Sequence, residues 1–408
     1  MRIVSAASVG TLVSALPGTP RVVASGNFAT PSAVLDEIDA AVPEYRLYML
    51  NAQPGIPTRE GVVHETSFVG AGMRRTPGLR YVPSRLSLVP LLFGSALPPD
   101  VVVVHTSTPR NGTVSLGTEV NILPAAIEAV RARGGMVVAQ LNPQMPYTYG
   151  DGQLSTELID CAVEVDLPLT SPATTEPDEC SLAIGERVAA LVPDGATLQL
   201  GIGAVPDATL LGVVGRRGLR IWSEMFSDGV LVLDRAGALD PDAVLTSSFL
   251  FGSADLYKWV DGNPRVRILR TEKTNDPGLI AANPQLTSVN SALQVDLYAQ
   301  ANASRVRGRI YSGFGGQTDF IVGALHSRGG QALIALRSWH PRADVSTIVP
   351  MVEEPVTSFQ PSAVVTENGI ARIWGLDQRE QAAELIDHAA HPSVREELEE
   401  EAQAIGLF

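Results

Sequence analysis

Short apolar runs separated by glycine-, proline- and asparagine-rich turns recur along this chain. Asp100–His105 and Met136–Leu141 are nearly continuous runs of this kind, which is typical of strands buried in a parallel sheet. Cys180–Leu191 instead spaces its apolar residues as one face of a helix does. Strand patterns and helix patterns alternate through most of the sequence, so we predict an α/β fold with open sheets.

One strand–turn–helix–strand stretch in the middle of the chain points to a ligand site. Thr197–Leu200 is predicted as a strand, and the Gly-x-Gly turn at 201–203 lets a ligand approach the backbone. A helix is predicted over Ala208–Val214 and a second strand over Leu219–Trp222, which Glu224 follows. Because open α/β sheets bind ligands at the carboxyl ends of their strands, the turn and the carboxylate are predicted to share one edge.

Each of these two features also has a purely structural explanation. A Gly-x-Gly turn is common, and no third glycine completes the dinucleotide-binding spacing. A single glutamate after a strand is more often a solvated or capping acid than a catalytic one. The two features carry weight because they occur together in one β-α-β unit.

The same strand–turn–helix pattern occurs near the start of the chain, and its residues match those of the later stretch at one constant difference in residue number. The matching pairs are Gly26 and Gly201, Pro31 and Pro206, Ala33 and Ala208, and Leu35 and Leu210. We therefore predict a tandem duplication with one α/β domain over residues 1–178 and a second over 179–408, joined by a Pro- and Thr-rich linker at 166–178. Asn51 stands in the first copy where the second has Glu224, so only the second domain offers an acid there.

Composition excludes several classes of protein. The 408 residues are 45% hydrophobic and 18% charged, which fits a globular chain long enough for two domains. A formal net charge of −14 argues against a nucleic-acid-binding protein. No apolar run is long enough for a membrane span and no leader pattern opens the sequence, so we expect a soluble, cytoplasmic protein.

Cysteine and histidine give no sign of a metal site. Cys161 and Cys180 are too few for a disulfide framework, and the six histidines are scattered without zinc-ligand spacing. Either thiol could in principle be a nucleophile, but Cys161 lies in an apolar stretch at 158–165 and is expected in the core.

Several loops taken together resemble the acetyl-CoA hydrolase/transferase family, which includes 4-hydroxybutyrate CoA-transferases. The segments that carry the resemblance span nearly the whole chain: NGTVSLG (111–117), QMPYTYGDG (144–152), GIGAVPDA (201–208), SEMFSDGV (223–230), FGSADLYKWVDGNP (251–264), NDP (275–277), VNSALQVDL (289–297), SGFGGQTDF (312–320) and VVTENGIA (364–371).

The resemblance implies two similar α/β domains of the CoA-transferase type with the active site in the cleft between them. It also implies a ping-pong mechanism through a glutamyl-CoA thioester on Glu224, with coenzyme A as a substrate and no permanently bound cofactor. A glutamate is ionised at neutral pH when its pKa is unperturbed, so it can attack a thioester carbonyl without a base.

Other site residues follow from the resemblance. Gly315 and Gly316 are expected to form an oxyanion hole, although a tight turn at a positive φ would explain them equally well. Glu367 and Gln317 are expected at the acyl group. The coenzyme A contacts are expected at Gly201, Ile202, Gly203, Ala204, Val205, Asn275, Ala292, Ser312 and Gly313.

The chain departs from the family pattern at three places around the expected acyl pocket. Tyr149 stands where histidine is frequent, and Asn368 stands where tyrosine is frequent. Arg337 lies in a loop that commonly carries a lysine in this family. The resemblance implies that the lysine contacts a coenzyme A phosphate, and Arg337 is the candidate to replace it. The acyl chain therefore cannot be inferred by analogy.

We expect an acyl-CoA:carboxylate CoA-transferase that acts on a short-chain acyl-CoA such as acetyl-CoA. An acyl-CoA hydrolase and a non-catalytic coenzyme A-binding module are the alternatives. Apolar neighbours of the expected site, Trp222, Met225, Phe226 and Phe314, favour a pocket that excludes water and hence transfer, whereas Glu367 could serve a hydrolase as base. The partners expected are an acyl-CoA and a short-chain carboxylate. The sequence leaves open whether the chain forms a homo-oligomer.

Overall fold

The computed structural model describes residues 1–171 and 176–408, and every structural statement below concerns those residues. The described parts of Met1–Pro172 and Val244–Thr274 form one compact unit, and those of Ala173–Ala243 and Asn275–Phe408 form a second. We call these the first and second units. Part of the predicted linker at 166–178, residues 172–175, lies outside the described residues.

The two units differ from the predicted contiguous domains at Val244–Thr274, which belongs to the first unit. The cause is strand pairing over a long sequence distance. Leu245–Ser247 pairs in parallel with Val266–Ile268, which in turn pairs in parallel with Tyr149–Gly150 of the first unit. A pattern of apolar residues along the chain does not encode such a pairing.

The first unit is built on an eight-stranded, wholly parallel sheet. The strand order is β1-β8-β7-β6-β2-β3-β4-β5 for these strands: β1 (Arg2–Ile3), β2 (Arg21–Ala24), β3 (Tyr45–Tyr48), β4 (Val62–Thr66), β5 (Arg80–Tyr81), β6 (Val101–Thr106), β7 (Met136–Leu141) and β8 (Cys161–Glu164). Every residue of β6 is buried, as the continuous apolar run predicts.

The second unit is built on a six-stranded sheet that is parallel except at its last pair. Its order is β10-β9-β11-β12-β13-β14 for these strands: β9 (Thr197–Gln199), β10 (Arg220–Ile221), β11 (Leu286–Asn290), β12 (Gln331–Ala335), β13 (Ala363–Thr366) and β14 (Gly369–Arg372). The carboxyl ends of β9 to β13 therefore lie along one edge, where ligand sites form in such sheets.

Thirteen α-helices are present in the described chain. They are α1 (Ala6–Ser14), α2 (Ser32–Ala41), α3 (Val89–Phe93), α4 (Leu123–Ala132), α5 (Glu179–Leu191), α6 (Ala204–Gly212), α7 (Asp228–Arg235), α8 (Ala254–Val260), α9 (Thr271–Thr274), α10 (Pro277–Ala281), α11 (Gln317–His326), α12 (Gln378–Glu384) and α13 (Arg395–Ala404). Among the described residues, no helix combines the length and apolar character that a membrane crossing requires.

Shorter elements complete both units. The remaining strands are Thr113–Ser115, Tyr149–Gly150, Gln153–Ser155, Met225–Phe226, Leu245–Ser247, Phe249–Leu250, Val266–Ile268, Gln294–Asp296, Ala301–Asn302, Arg305–Val306, Arg309–Ile310, Trp339–His340, Val345–Ser346 and Ile348–Val349. Leu86–Leu88, Thr156–Leu158 and Pro392–Val394 are 3-10 turns, and Leu385–Ala389 is a π-helical turn that continues α12.

The predicted duplication is visible as one local arrangement in each unit. In the first unit, β2 leads through a turn into α2 and then into the parallel strand β3. In the second unit, β9, α6 and β10 follow the same order. The helix in the second copy begins at Ala204, two residues before Pro206, the predicted first helical residue, because Gly203 with φ 119° already caps it. Pro206 is tolerated there because the first-turn N–H groups have no partner inside the helix.

Candidate active site

Glu224 lies in the loop between β10 and the short strand Met225–Phe226, at the carboxyl edge of the second sheet. The preceding residue ties this loop to the end of the neighbouring strand. The Ser223 hydroxyl donates to the Leu200 carbonyl at 3.0 Å and accepts from the Leu200 N–H at 3.4 Å. The Gly-x-Gly turn starts immediately after Leu200, so the turn and the glutamate share one edge, as predicted.

Asn275 fixes one oxygen of the Glu224 carboxylate. Its Nδ2 donates to Glu224 Oε2 at 3.0 Å, and the asparagine is completely buried. The next residue, Asp276, caps the short helix α10 by accepting from the Leu279 N–H at 2.8 Å. The resemblance assigns Asn275 to coenzyme A, whereas its contact in the structure is with the expected nucleophile.

Gly316 is the second group that holds Glu224. Its backbone N–H donates to the carboxylate. A Cβ atom at this position would overlap both the Glu224 carboxylate and the Asn275 amide, so a side chain does not fit. The expectation of a positive φ here is wrong, since Gly316 has φ −99°, and the positive value, 56°, belongs to Gly315. Close approach of a carboxylate, rather than backbone strain, makes glycine necessary at 316.

Burial raises the pKa of Glu224 to about 7, and the negative charge of Asp319 acts in the same direction. The hydrogen bonds from Asn275 and Gly316 act in the opposite direction. The result is a carboxyl group that exchanges its proton near neutral pH. Asp319 lies buried in the first turn of α11.

Sequence analysis did not single out Asp319, whose charge acts on Glu224. The signal was present, because an acid three residues after Gly316 lies on the same face of a helix that begins there.

Apolar residues flank Glu224 along the chain. Met225 and Phe226 are buried, and Trp222 packs against the main core of the second unit. That core includes residues from α11 and from the sheet strands β11 to β13, such as Phe320, Ile334 and Val364. The loop is therefore anchored by packing on the side away from solvent, which limits the movement of the carboxylate.

The predicted coenzyme A turn lines an open cavity of about 330 Å³ in the second unit. Gly201, Ile202, Gly203, Ala204 and Val205 all contribute, together with Asn290, Ser291 and Arg337. A Cβ atom at Gly201 or Gly203 would meet nothing within 4 Å, so the turn presents bare backbone to open space. The first-turn N–H groups of α6 have no partner inside the helix, and helix N-termini of this kind favour anions.

Arg337 joins this cavity from the end of β12. It forms an ion pair with Asp178 at 2.6 Å and donates to the Ser181 hydroxyl at 3.1 Å. The guanidinium lowers the pKa of Asp178 to about 2. The arginine that replaces the expected lysine therefore lies beside the turn that is predicted to bind phosphate, with an exposed acid as its present counter-ion.

Glu367 and Glu224 follow different strands of the second sheet. Glu367 follows β13 and accepts hydrogen bonds from the backbone N–H and the hydroxyl of Ser338. The Cys180 thiol also forms a hydrogen bond with Glu367. β13 lies four strands from β10 in the sheet, so the two strand ends are about 19 Å apart at about 4.8 Å per strand. The expected role of Glu367 at the acyl group stays a prediction.

The remaining predicted residues lie in loops around the same edge. Gln317 begins α11 and donates to the Ser291 carbonyl at 3.2 Å. Ser312 donates to the Ala303 carbonyl at 2.9 Å, and Gly313 is buried. Ala292 packs against the core of the second unit. Cys161 is buried as expected. Within residues 1–171 and 176–408, no cluster of three or more histidine, cysteine or acidic side chains could hold a metal ion.

Comparison with known proteins assigns the family. A family model described as acetyl-CoA hydrolase/transferase C-terminal domain matches residues 252–402. The 4-hydroxybutyrate coenzyme A transferase of Clostridium kluyveri is 37% identical over 372 residues, which cover 86% of this chain and 85% of that protein. The chain belongs to the acetyl-CoA hydrolase/transferase family of enzymes.

Two solved structures superpose on this chain over nearly its whole length. RipA from Yersinia pestis superposes with a TM-score of 0.92 at 26% identity and covers 100% of this chain and 98% of its own. A 4-hydroxybutyrate CoA-transferase from Porphyromonas gingivalis gives a TM-score of 0.84 at 31% identity, with 99% and 98% covered. The predicted CoA-transferase type of fold is therefore confirmed.

The family also contains proteins named as hydrolases. The acetyl-CoA hydrolase of Kluyveromyces lactis is 32% identical over 203 residues, which cover 48% of this chain and 38% of that protein. Membership of the family alone therefore does not separate transfer from hydrolysis.

We expect Gly316→Ala to lower kcat by about a hundredfold or more with the fold retained. The added methyl group must displace the Glu224 carboxylate or the Asn275 amide, and small displacements of reacting groups have effects of this size. Steady-state kinetics and thermal unfolding measure the two effects. Gly215→Ala is the matched control, since a Cβ there meets nothing within 4 Å. Unaltered kinetics in Gly316→Ala would show that the close approach has no catalytic meaning.

Proposed function

We propose that this enzyme is an acyl-CoA:carboxylate CoA-transferase that works by a ping-pong mechanism through Glu224. The observation that carries the proposal is the Glu224 carboxylate itself, held by Asn275 and Gly316 in an apolar loop at the carboxyl edge of a parallel sheet. A partly buried carboxylate whose pKa is raised to about 7 is more basic than an ordinary glutamate and is still ionised in part at neutral pH.

The first half-reaction needs two nucleophilic attacks. The Glu224 carboxylate attacks the thioester carbonyl of the acyl-CoA, the carbon–sulfur bond breaks, and a mixed anhydride and a coenzyme A thiolate form. The thiolate then attacks the glutamyl carbonyl, which gives a glutamyl-CoA thioester and releases the acyl group as a carboxylate. A second carboxylate reverses both steps. Neither nucleophile carries a proton, so no general base is required.

Asn275 and Gly316 have a defined part in this sequence. Asn275 holds one oxygen of Glu224, so attack on the substrate falls to the other oxygen. When the thiolate attacks the glutamyl carbonyl, negative charge develops on a glutamyl oxygen. The Asn275 amide and the Gly316 N–H already donate to this carboxylate, so they can stabilise that charge as an oxyanion hole.

Coenzyme A is proposed to lie along the Gly201–Val205 turn. The open cavity there, the exposed backbone N–H groups at the start of α6 and the Arg337 guanidinium suit a phosphate-containing ligand. Binding of a phosphate at Arg337 would compete with the ion pair to Asp178. The second substrate is proposed to be a short-chain carboxylate.

Hydrolysis of acyl-CoA is the second candidate, because relatives with that name match this chain. A hydrolase must direct a water molecule at the intermediate, for which Glu367 is the base suggested by the sequence. Met225 and Phe226, which follow the nucleophile in the sequence, are buried. Their burial supports transfer.

We expect Glu224→Gln to lose transfer activity by at least about a thousandfold, because it retains the shape of the side chain but cannot form the anhydride. Wild-type enzyme treated with acyl-CoA and then borohydride should become inactive with Glu224 reduced, as peptide mass spectrometry can show. Glu396→Gln, an exposed acid in the first turn of α13, is the matched control and should keep full activity. Retention of more than about a tenth of the activity in Glu224→Gln excludes the covalent role.

Transfer and hydrolysis are separated by following thiol release and acyl exchange in parallel. With acetyl-CoA alone, we expect thiol release at least about tenfold slower than acyl exchange in the presence of propionate or butyrate, because the intermediate is shielded from water. Rapid thiol release that is independent of added carboxylate, with no acyl exchange, would assign the enzyme as a hydrolase. Glu224→Gln should abolish both signals, which excludes a contaminating activity.

A further inference from the structure

We propose that Asp319 is a positioning residue whose negative charge makes Glu224 a stronger nucleophile and favours the covalent intermediate. The inference rests on the proposed function, since it assigns a partner to the nucleophile of that reaction. Asp319 forms no covalent bond with the substrate in this proposal and accepts no proton in the cycle. It acts through its charge on the carboxylate of Glu224.

Helix geometry places Asp319 on the side of α11 that faces Glu224. Gly316 is the residue that caps the helix, and Asp319 comes three residues later. Residues at this spacing share one face with about 5–6 Å between their Cβ positions. A Cβ atom at Gly316 would overlap the Glu224 carboxylate, so the face that Asp319 shares is the one that Glu224 touches.

Two features of the position of Asp319 bear on how far its charge acts. The side chain is 1% exposed, so bulk water screens it poorly. It lies in the first turn of a ten-residue helix, where the helix dipole stabilises an anion. A carboxylate at this place repels a second carboxylate in contact with the same helix end.

Two other acids lie close to Asn275 and Glu224 in the sequence. Asp276, next to Asn275, caps α10 through the Leu279 N–H. Asp228 lies in the first turn of α7. Burial raises the pKa of Asp207, and the negative charge of Asp228 raises it further. Burial, the neutral donors Asn275 and Gly316, and the anion Asp319 all act on the pKa of Glu224. Asp319 is thus the charged member of that set.

The sign of the effect favours catalysis. Free Glu224 carries a negative charge, whereas the anhydride and the glutamyl thioester are neutral at this residue. Repulsion from Asp319 is therefore present before attack and is relieved when the covalent bond forms. The same repulsion raises the basicity of the carboxylate, and nucleophilic rate rises with basicity for a given class of nucleophile.

The test is the pH profile of kcat/KM for Asp319→Asn. In the wild type, activity should fall below pH about 7 as Glu224 is protonated. In Asp319→Asn we expect this acidic limb to move down by about one pH unit. At pH 9 the variant should be about threefold slower because its nucleophile is less basic, and at pH 6 it should be about twofold faster because more of it is ionised. The two profiles therefore cross.

Matched variants separate charge from structure. Asp319→Glu keeps the charge and should keep the wild-type limb, and Asp319→Ser gives a second neutral side chain if the asparagine variant does not fold. Glu397→Gln removes a charge from the third residue of another ten-residue helix, α13, at an exposed position and should leave the profile unchanged. A uniformly lower activity in Asp319→Asn with an unshifted limb would overturn the proposal.

A second readout does not depend on activity. Because the pKa of Glu224 is raised on folding, its ionisation destabilises the native state increasingly as the pH rises from its unfolded pKa toward about 7. Glu224→Gln removes this penalty, so its gain in melting temperature should be larger at pH 8 than at pH 5. In an Asp319→Asn background that pH-dependent gain should shrink.

The two readouts distinguish the possible failures. Activity that survives Glu224→Gln refutes the proposed function, even where the melting temperatures still reveal the coupling. A gain in melting temperature that is the same with and without Asp319, in an enzyme that needs Glu224, refutes the role of Asp319 alone.

Discussion

The close contact between the Glu224 carboxylate and the start of α11 is the constraint on which the site depends. Gly316 must lack a side chain because the carboxylate and the Asn275 amide occupy that space. Ser223 ties the glutamate loop to Leu200 and hence to the Gly-x-Gly turn. Three loops from separate parts of the sequence therefore converge on one carboxylate within the second unit.

Opposing electrostatic effects then set the character of that carboxylate. Burial and Asp319 disfavour its charge, whereas Asn275 and Gly316 favour it, and the pKa settles at about 7. Burial alone would produce a protonated acid without nucleophilic power, and the two donors alone would produce a weakly basic anion. The combination suits a group that must attack a thioester and then leave again.

Sequence patterns predicted those parts of the fold and site that depend on local order. The buried run in β6, the duplicated strand–turn–helix–strand arrangement and the shared edge of the turn and Glu224 are of this kind. The assignment of Val244–Thr274 to the first unit was not predictable, because pairing with Tyr149–Gly150 is a long-range property. The reason for glycine at 316 and the part of Asp319 also emerge only when α11 and the Glu224 loop are seen together.

The central claim, that Glu224 takes part covalently, predicts that its oxygen atoms exchange with those of the substrates. In the mechanism above, each full cycle leaves one oxygen of the incoming carboxylate on Glu224. After turnover with acetyl-CoA and ¹⁸O-labelled carboxylate, mass spectrometry of the peptide that contains Glu224 should find the label on that side chain. Turnover without label in Glu224, or label on another acidic residue, would contradict the account.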